Sequence, residues 1–249
     1  MTLALPTRRD EAWRYSDLEA VASVWPVPAP ERIMVPAGGS IARVIMQDAD
    51  KHTVAIRDYV VELGAGARAD FHILNTGGRL GRVSIDVTLH EGAHFELGGV
   101  IIGGGEQTLE IVTTLRHIEP NATSNQIVRS VLGGRATGSY LGKVAVARHA
   151  QKTDASQSFK AMLLTRTATA NAKPELEIFA DDVKCAHGAA IGELDATALF
   201  YLESRGIAPA DAKAMLLRAF VGGVFDGVED EAVREKLDAA ALAALEQIL

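Results

Sequence analysis

The chain has 249 residues, 48% of them hydrophobic and 23% charged, with a net charge of −7. That supplies a sizeable core for one or two domains, while the acidic balance argues against non-specific nucleic-acid binding and leaves no basic tail for an anionic membrane. One cysteine excludes an internal disulfide framework; with no signal-peptide-like start and no long apolar run, the expected location is a reducing cytoplasm.

Thr7-Arg8-Arg9-Asp10 predicts a helix start, with Thr7 capping a backbone N–H and Asp10 in the first turn of a short helix reaching about Ala22. Pro26, Pro28, Pro30 and Pro36 then interrupt every periodic pattern and mark a linker, so residues 1–36 read as an N-terminal helix and proline-rich segment.

Over 37–191 the period is that of strands. Apolar residues alternate in Val54-Ile56, Phe71-Ile73, Val83-Ile85-Val87-Leu89, Phe95-Leu97, Leu109-Ile111 and Leu176-Ile178. Glycines punctuate these runs at Gly64, Gly66, Gly77-Gly78, Gly92, Gly98-Gly99, Gly103-Gly104-Gly105, Gly133-Gly134, Gly138 and Gly142. Aromatics are only 5% of the chain, which points to a Val, Ile, Leu and Ala core on short strands joined by tight turns. A sandwich, a barrel and a β-solenoid all fit, and no clean fixed-length repeat selects the solenoid.

Two motifs in this region fail on physical grounds. His90-Glu91-Gly92-Ala93-His94 matches the His-Glu-x-x-His expression of zinc proteases, but that chemistry needs a helix to bring both histidines to one face. Here the run Val83–Leu89 leads in as a strand and Glu91-Gly92 reads as a turn. Gly138-Ser139-Tyr140-Leu141-Gly142-Lys143-Val144 is one residue short of a phosphate-binding loop and puts Val144 where a hydroxyl should reach magnesium, so no ATP site is expected in this chain. His72, His90, His94, His117 and His149 show no repeated ligand spacing.

The only cysteine lies in Asp181-Asp182-Val183-Lys184-Cys185-Ala186-His187-Gly188. In a strand, residues two apart share a face, so Cys185 and His187 can address one metal ion or one sulfur-bearing intermediate. Two ligands are too few for a closed zinc or iron–sulfur site, so a partner chain or exogenous ligands must complete it. Lys184 beside Cys185 suggests a lowered thiol pKa, and a packed core thiol is the other reading.

After Gly192 the period becomes helical over residues 192–249. Leu194, Ala198, Leu199 and Leu202 predict one helix ended by Gly206. Pro209 opens a second with a face of Ala212, Met215, Leu216, Ala219 and Phe220, and Glu229 to Leu249 gives a third.

The stretch Lys173-Pro174-Glu175-Leu176-Glu177-Ile178-Phe179-Ala180 leading into Asp181–Gly188, the segment Leu199–Ile207, and Asp10-Glu11-Ala12-Trp13-Arg14-Tyr15-Ser16 near the other end together resemble the SufB/SufD family of iron–sulfur cluster assembly scaffolds, on its SufD side. The middle, roughly 40 to 170, matches in pattern. The resemblance implies a mainly β fold, a right-handed parallel β-helix with a short N-terminal helix and a C-terminal helical domain. It implies pairing with a homologous SufB-like chain and docking of a SufC-like ATPase through the helical domain, for which Leu199, Phe200, Tyr201, Arg205, Met215 and Phe220 are the candidates.

The same resemblance makes the end of the β-helix near Cys185 and His187 the candidate SufB interface. His187, and then Cys185, become candidate ligands to iron or a transient iron–sulfur cluster. It further implies that ATP-driven closure of the SufC pair reshapes this interface. The sulfur-accepting cysteine of SufB falls in the region that here reads Ser156-Gln157-Ser158-Phe159, and the glutamates flanking the matching histidine are replaced by Ala186 and Gly188. Both departures favour SufD over SufB. The chain is short for the family, with little between its N-terminal helix and the β region. Cluster type and flavin binding are left open, and so is self-pairing of an isolated chain through exposed strand edges. Without the resemblance, a stand-alone metal enzyme built on the core histidines, or a purely structural subunit, also fits.

Overall fold

The computed structural model describes residues 4–249. Its twelve described strands are β1 Glu31–Val35, β2 Ser40–Gln47, β3 Val54–Leu63, β4 Arg68–Asn75, β5 Leu80–Leu89, β6 His94–Gly103, β7 Thr108–His117, β8 Thr123–Leu132, β9 Thr137–Val146, β10 Asp154–Leu163, β11 Thr169–Ile178 and β12 Lys184–Glu193. Every pairing is parallel, and the chain alternates between two six-stranded sheets, β1-β3-β5-β7-β9-β11 and β2-β4-β6-β8-β10-β12. This is a two-sheet parallel β-helix of about six turns, each turn contributing one strand to each sheet.

Register explains why no repeat was visible. Partners on successive turns are offset by 26 to 32 residues, so the turn length drifts along the chain. The element that does repeat is a backbone conformation. At the corner between the two sheets a residue with positive φ recurs at Gly38, Gly66, Gly92, Asn121 and Lys152 (φ 63° to 67°). Each donates its N–H to a carbonyl one turn further on: Ala65, Glu91, Pro120, Gln151 and Asp182. Glycine and asparagine enter this region at little cost, whereas Lys152 is held there by its stacked neighbours.

Inward-facing residues of both sheets form one continuous core, including Val61, Leu63, Phe71, Ile73, Val83, Ile85, Phe95, Leu97, Ile111, Val128, Tyr140, Val144 and Phe159. The outer face of the β2-containing sheet is also apolar at Leu74, Val100, Ile102 and Val131. It is covered by α3 (Pro209–Val221), the following loop and α4 (Glu231–Ile248), through Leu217, Val221, Phe225, Leu237, Ala241 and Leu245. Gly98 permits the close approach, since a Cβ there would lie 2.3 Å from the Val224 carbonyl oxygen. The helix α2 (Ala196–Ser204) buries no residue fully. Its start is capped by Asp195, and Gly206 (φ 87°) follows its end as expected.

Four expectations change. The single N-terminal helix is instead a 3₁₀ turn at Glu11–Trp13, without a side-chain cap, followed by α1 (Leu18–Ser23), whose start Asp17 caps by accepting from Ala20 N–H. Thr7 does not cap a helix; its N–H and hydroxyl both bond the Asp10 carboxylate in a local turn. The stretch read as a proline linker contains β1, lying between Pro30 and Pro36 and paired with β3. The buried face of α3 is Ala212, Leu217 and Val221, with Met215 and Ala219 turned outward. In the apolar run Met215–Val221 the spacing alone fits more than one face, and the sheet against which the helix lies chooses.

The family-like N-terminal stretch is a clasp on the other sheet. Arg82 and Glu110, outward-facing and almost fully buried, form a 2.5 Å ion pair. The Ser16 hydroxyl donates to the same Glu110 oxygen at 2.8 Å, and the Trp13 ring lies 3.9 Å from the Arg82 guanidinium carbon. Glu11 pairs with Lys173 of β11. Removing one partner of a buried pair strands the other charge, so Arg82→Ala is expected to cost roughly 3–5 kcal/mol, whereas Arg82→Met with Glu110→Leu recovers most of it; urea unfolding of the two variants measures the difference.

His117 is fully buried, its Nε2 3.0 Å from the Ser124 hydroxyl, and burial holds its pKa down at about 4. The unfolded chain therefore takes up this proton near pH 6.5 while the folded chain refuses it until about pH 4. Its stability contribution is full above pH 6.5 and falls with pH across that window, by on the order of 2–3 kcal/mol. Urea midpoints at pH 7 and pH 4.5 should show a steeper acid loss for the wild type than for His117→Asn.

Candidate functional site

Cys185 and His187 lie on β12, the last strand of its sheet, paired on one side only with β10. Their register partners, Ala155 and Gln157, point into the core, so Cys185 and His187 both occupy inward positions of the final turn. No further turn covers them. Cys185 is half-buried against the edge of the core and His187 is exposed. Ala189 and Ile191 continue the same row, and Ile191 is 48% exposed although its side of the strand is the apolar one. Across the core, β11 ends its own sheet with Ile178 exposed, followed by Phe179 at 62%. The C-terminal end of the solenoid is thus an open cross-section with two unpaired strand edges and an apolar interior.

The N-terminal end is finished differently. Arg43 on β2 reaches across to Glu31 on β1 with a single nitrogen 2.6 and 2.8 Å from the two carboxylate oxygens, and Pro30 and Pro36 bracket β1. Charge and proline blunt that edge against pairing.

The expected activation of Cys185 by Lys184 does not occur. Neighbours in a strand point to opposite faces, so Lys184 is exposed outside while Cys185 turns inward. Burial pushes the thiol pKa up, opposed by a hydrogen bond with the Ala155 backbone and reinforced by Asp154. Burial therefore disfavours the thiolate form of Cys185.

The other histidines are dispersed. His90 follows the end of β5, and His94 begins β6 after a turn at Gly92, so the zinc-protease spacing does not sit on a helix. The His90 ring lies between Glu62 (3.4 Å) and Glu119 (3.2 Å), while His94 contacts the Thr123 hydroxyl at 2.7 Å and Glu96 at 3.4 Å. His72 lies under Phe225, His117 is inside the core, and His149 is an exposed turn residue. A histidine-built metal enzyme would need these brought together. Among the described residues, no three His, Cys, Asp or Glu side chains are placed to hold a metal ion. Residues 138–144 lie within β9, where an extended backbone cannot wrap a phosphate. A cleft of about 990 Å³ between the Asp48–His52 turn, Gln107 and α4 contains neither Cys185 nor His187.

The helical candidates divide. Phe200 (70% exposed), Tyr201 and Met215 are outward, with the Arg205 guanidinium 5.0 Å from the Tyr201 ring. Leu199 is half-buried, and Phe220 packs at the edge of the cluster between helices and sheet. Sequence reasoning did not single out Gln157, whose amide is buried without a hydrogen-bond partner. Its signal was a polar residue at an inward position, between Ala155 and Phe159 in an alternating strand.

With its thiolate disfavoured by burial, Cys185 is expected to react with iodoacetamide at pH 7.5 at least about threefold more slowly than a free cysteine and to accelerate as the pH is raised. A rate matching free thiol at pH 7.5 would show that burial does not control it.

The sequence comparisons agree with this architecture. Residues 30–220 match the family model for the SufBD core domain of SUF-system FeS cluster assembly. The chain is 31% identical over 176 residues to the iron-sulfur cluster assembly protein SufD of Escherichia coli, covering 70% of this chain and 42% of that protein. It is 36% identical over 156 residues to an iron-sulfur cluster assembly SufBD family protein of Synechocystis, covering 62% and 34% respectively. It is 32% identical over 216 residues to the chloroplastic protein ABCI7 of Arabidopsis thaliana, covering 85% and 45%. The chain spans less than half the length of these curated relatives. The matched core includes all twelve strands, the terminal turn with Cys185 and His187, and almost all of α3: the chain belongs to the SufB/SufD family of the SUF iron–sulfur cluster assembly system.

Proposed function

We propose that the chain is a non-enzymatic scaffold subunit of a SufBCD-type complex, pairing through its open solenoid end with a SufB-like paralogue and presenting His187, with Cys185 beside it, to a nascent iron–sulfur cluster. The observation that carries this is the asymmetry of the two ends. One is closed by the Arg43–Glu31 pair and prolines; the other exposes β11, β12 and an apolar row ending in Ile191. A paralogue with the same fold would extend both sheets across the junction by backbone hydrogen bonds, burying that row.

The donor set suits a shared cargo. An imidazole and a thiol two residues apart fall short of the four ligands a cluster normally takes, and their location at an unpaired edge lets a partner's side chains and free sulfide supply the rest. The cluster is the material being assembled and passed on. In this reading α2 and α3 carry the SufC-like ATPase, with Phe200, Tyr201 and Met215 as the apolar contacts and Arg205 beside them. Nucleotide hydrolysis then belongs to that subunit, and closure of an ATPase pair would move the helices relative to the terminal turn.

Size-exclusion with mass determination on the chain co-expressed with SufB-like and SufC-like proteins from the same genome should give a complex of one copy of this chain, one SufB-like chain and two ATPases. In that complex Phe200→Ala with Tyr201→Ala should weaken ATPase retention at least about tenfold, the loss typical of two interface aromatics. His187→Ala should leave assembly intact and lower cluster loading. Elution of the chain alone with tightly bound metal would replace this reading with an independent metal site.

A further inference from the structure

Gln157 is 3% exposed on an inward position of β10, and neither its amide nitrogen nor its amide oxygen has a hydrogen-bond partner. Such a group pays its desolvation without return and calls for a physical explanation. The neighbouring polar groups do not provide it. Gln126, in register one turn earlier, accepts from the Thr113 hydroxyl at 2.6 Å and from the Tyr140 hydroxyl at 3.1 Å, while its own amide nitrogen is also without a partner and makes no bond to Gln157. A Cβ at Gly142 would come within 2.4 Å of the Tyr140 hydroxyl and 2.9 Å of the Gln157 nitrogen, so glycine keeps the space beside this amide open.

On the other side the register partner of Gln157 is His187. Neighbouring strands lie about 4.8 Å apart, so two inward side chains in register are adjacent. The rest of the row on β12 is Cys185, Ala189 and Ile191, and the inward side of β11 opposite offers Ala170, Ala172 and Leu176. The imidazole is the one strong hydrogen-bonding side chain among these terminal-turn residues, and an amide oxygen accepts what a ring N–H donates.

We infer that Gln157 is a positioning residue for His187: its amide oxygen accepts one ring N–H when a partner covers the open end, leaving the other ring nitrogen as the ligand. An acceptor behind a ligating histidine fixes tautomer and ring orientation. This rests on the proposed cluster site and adds the residue that aims it.

The test uses the assembled complex with ferrous iron and inorganic sulfide as probe, reading cluster absorbance for Gln157→Leu, Gln157→Glu, His187→Ala and the Gln157→Leu/His187→Ala double variant. Complex mass and thermal midpoint are checked for each. Gln157→Leu removes an unpartnered buried amide, so it should fold and assemble at least as well as wild type while loading falls about tenfold. Gln157→Glu keeps the acceptor and should restore loading. The double variant should load no worse than His187→Ala, because Gln157 acts only through that ring. Wild-type loading by Gln157→Leu, failure of an assembled Gln157→Glu complex to load, or losses that multiply in the double variant would overturn the inference. Wild-type loading by His187→Ala would instead remove the cluster-site reading itself, and the positioning role with it.

Discussion

A parallel solenoid cannot close on itself. Each strand is satisfied by the turns before and after it, and that rule fails at the two ends, where backbone donors and acceptors and a cross-section of apolar core face outward. What distinguishes this molecule is how differently the ends are finished. Arg43, Glu31 and the flanking prolines finish the first turn, whereas β11 and β12 are left with inward-facing Cys185, His187, Ala189 and Ile191 uncovered. The terminal turn combines Cys185 and His187 with an uncovered apolar row, so in the proposed function chemistry and assembly would converge on one surface.

The side faces obey the same logic in reverse. A strand presents two faces, and both outer faces of this solenoid carry buried groups that something must cover. On one sheet α3, α4 and the loop between them cover Leu74, Val100, Ile102 and Val131. On the other, Trp13 and Ser16 close over the Arg82–Glu110 pair, with α1 and Trp25 packed against Leu80 nearby. The chain thus spends both of its termini on sealing its flanks. The α2 surface around Phe200 and Tyr201 and the open end with Phe179 and Ile191 expose apolar side chains, and these are the two places where the proposed assembly needs contacts.

Much of this was legible. Alternation in Val83–Leu89 or Leu109–Ile111 reports a half-buried strand because the side-chain period is two wherever the strand lies. Gly206 and Pro209 mark helix ends by local stereochemistry, and they did so here. The rejection of residues 90–94 as a zinc motif also rested on local conformation, and that segment is a turn leading into β6; residues 138–144 failed on spacing and the missing hydroxyl, and they lie within β9. The solenoid itself was hidden, because its repeat is a positive-φ corner occupied in turn by glycine, asparagine and lysine at drifting spacing. The family resemblance supplied it.

The sequence by itself determined which segments are extended, which are helical, and that Cys185 and His187 share a face, since each follows from backbone periodicity. Only the tertiary structure decided that this face is the uncovered end of a stack, that burial there raises the thiol pKa of Cys185, that the N-terminal signature clasps a buried ion pair, and that the orphaned amide of Gln157 lies in register with His187. These depend on contacts between residues about thirty to ninety positions apart. Stacking order and register bring such residues together, and no local pattern encodes either.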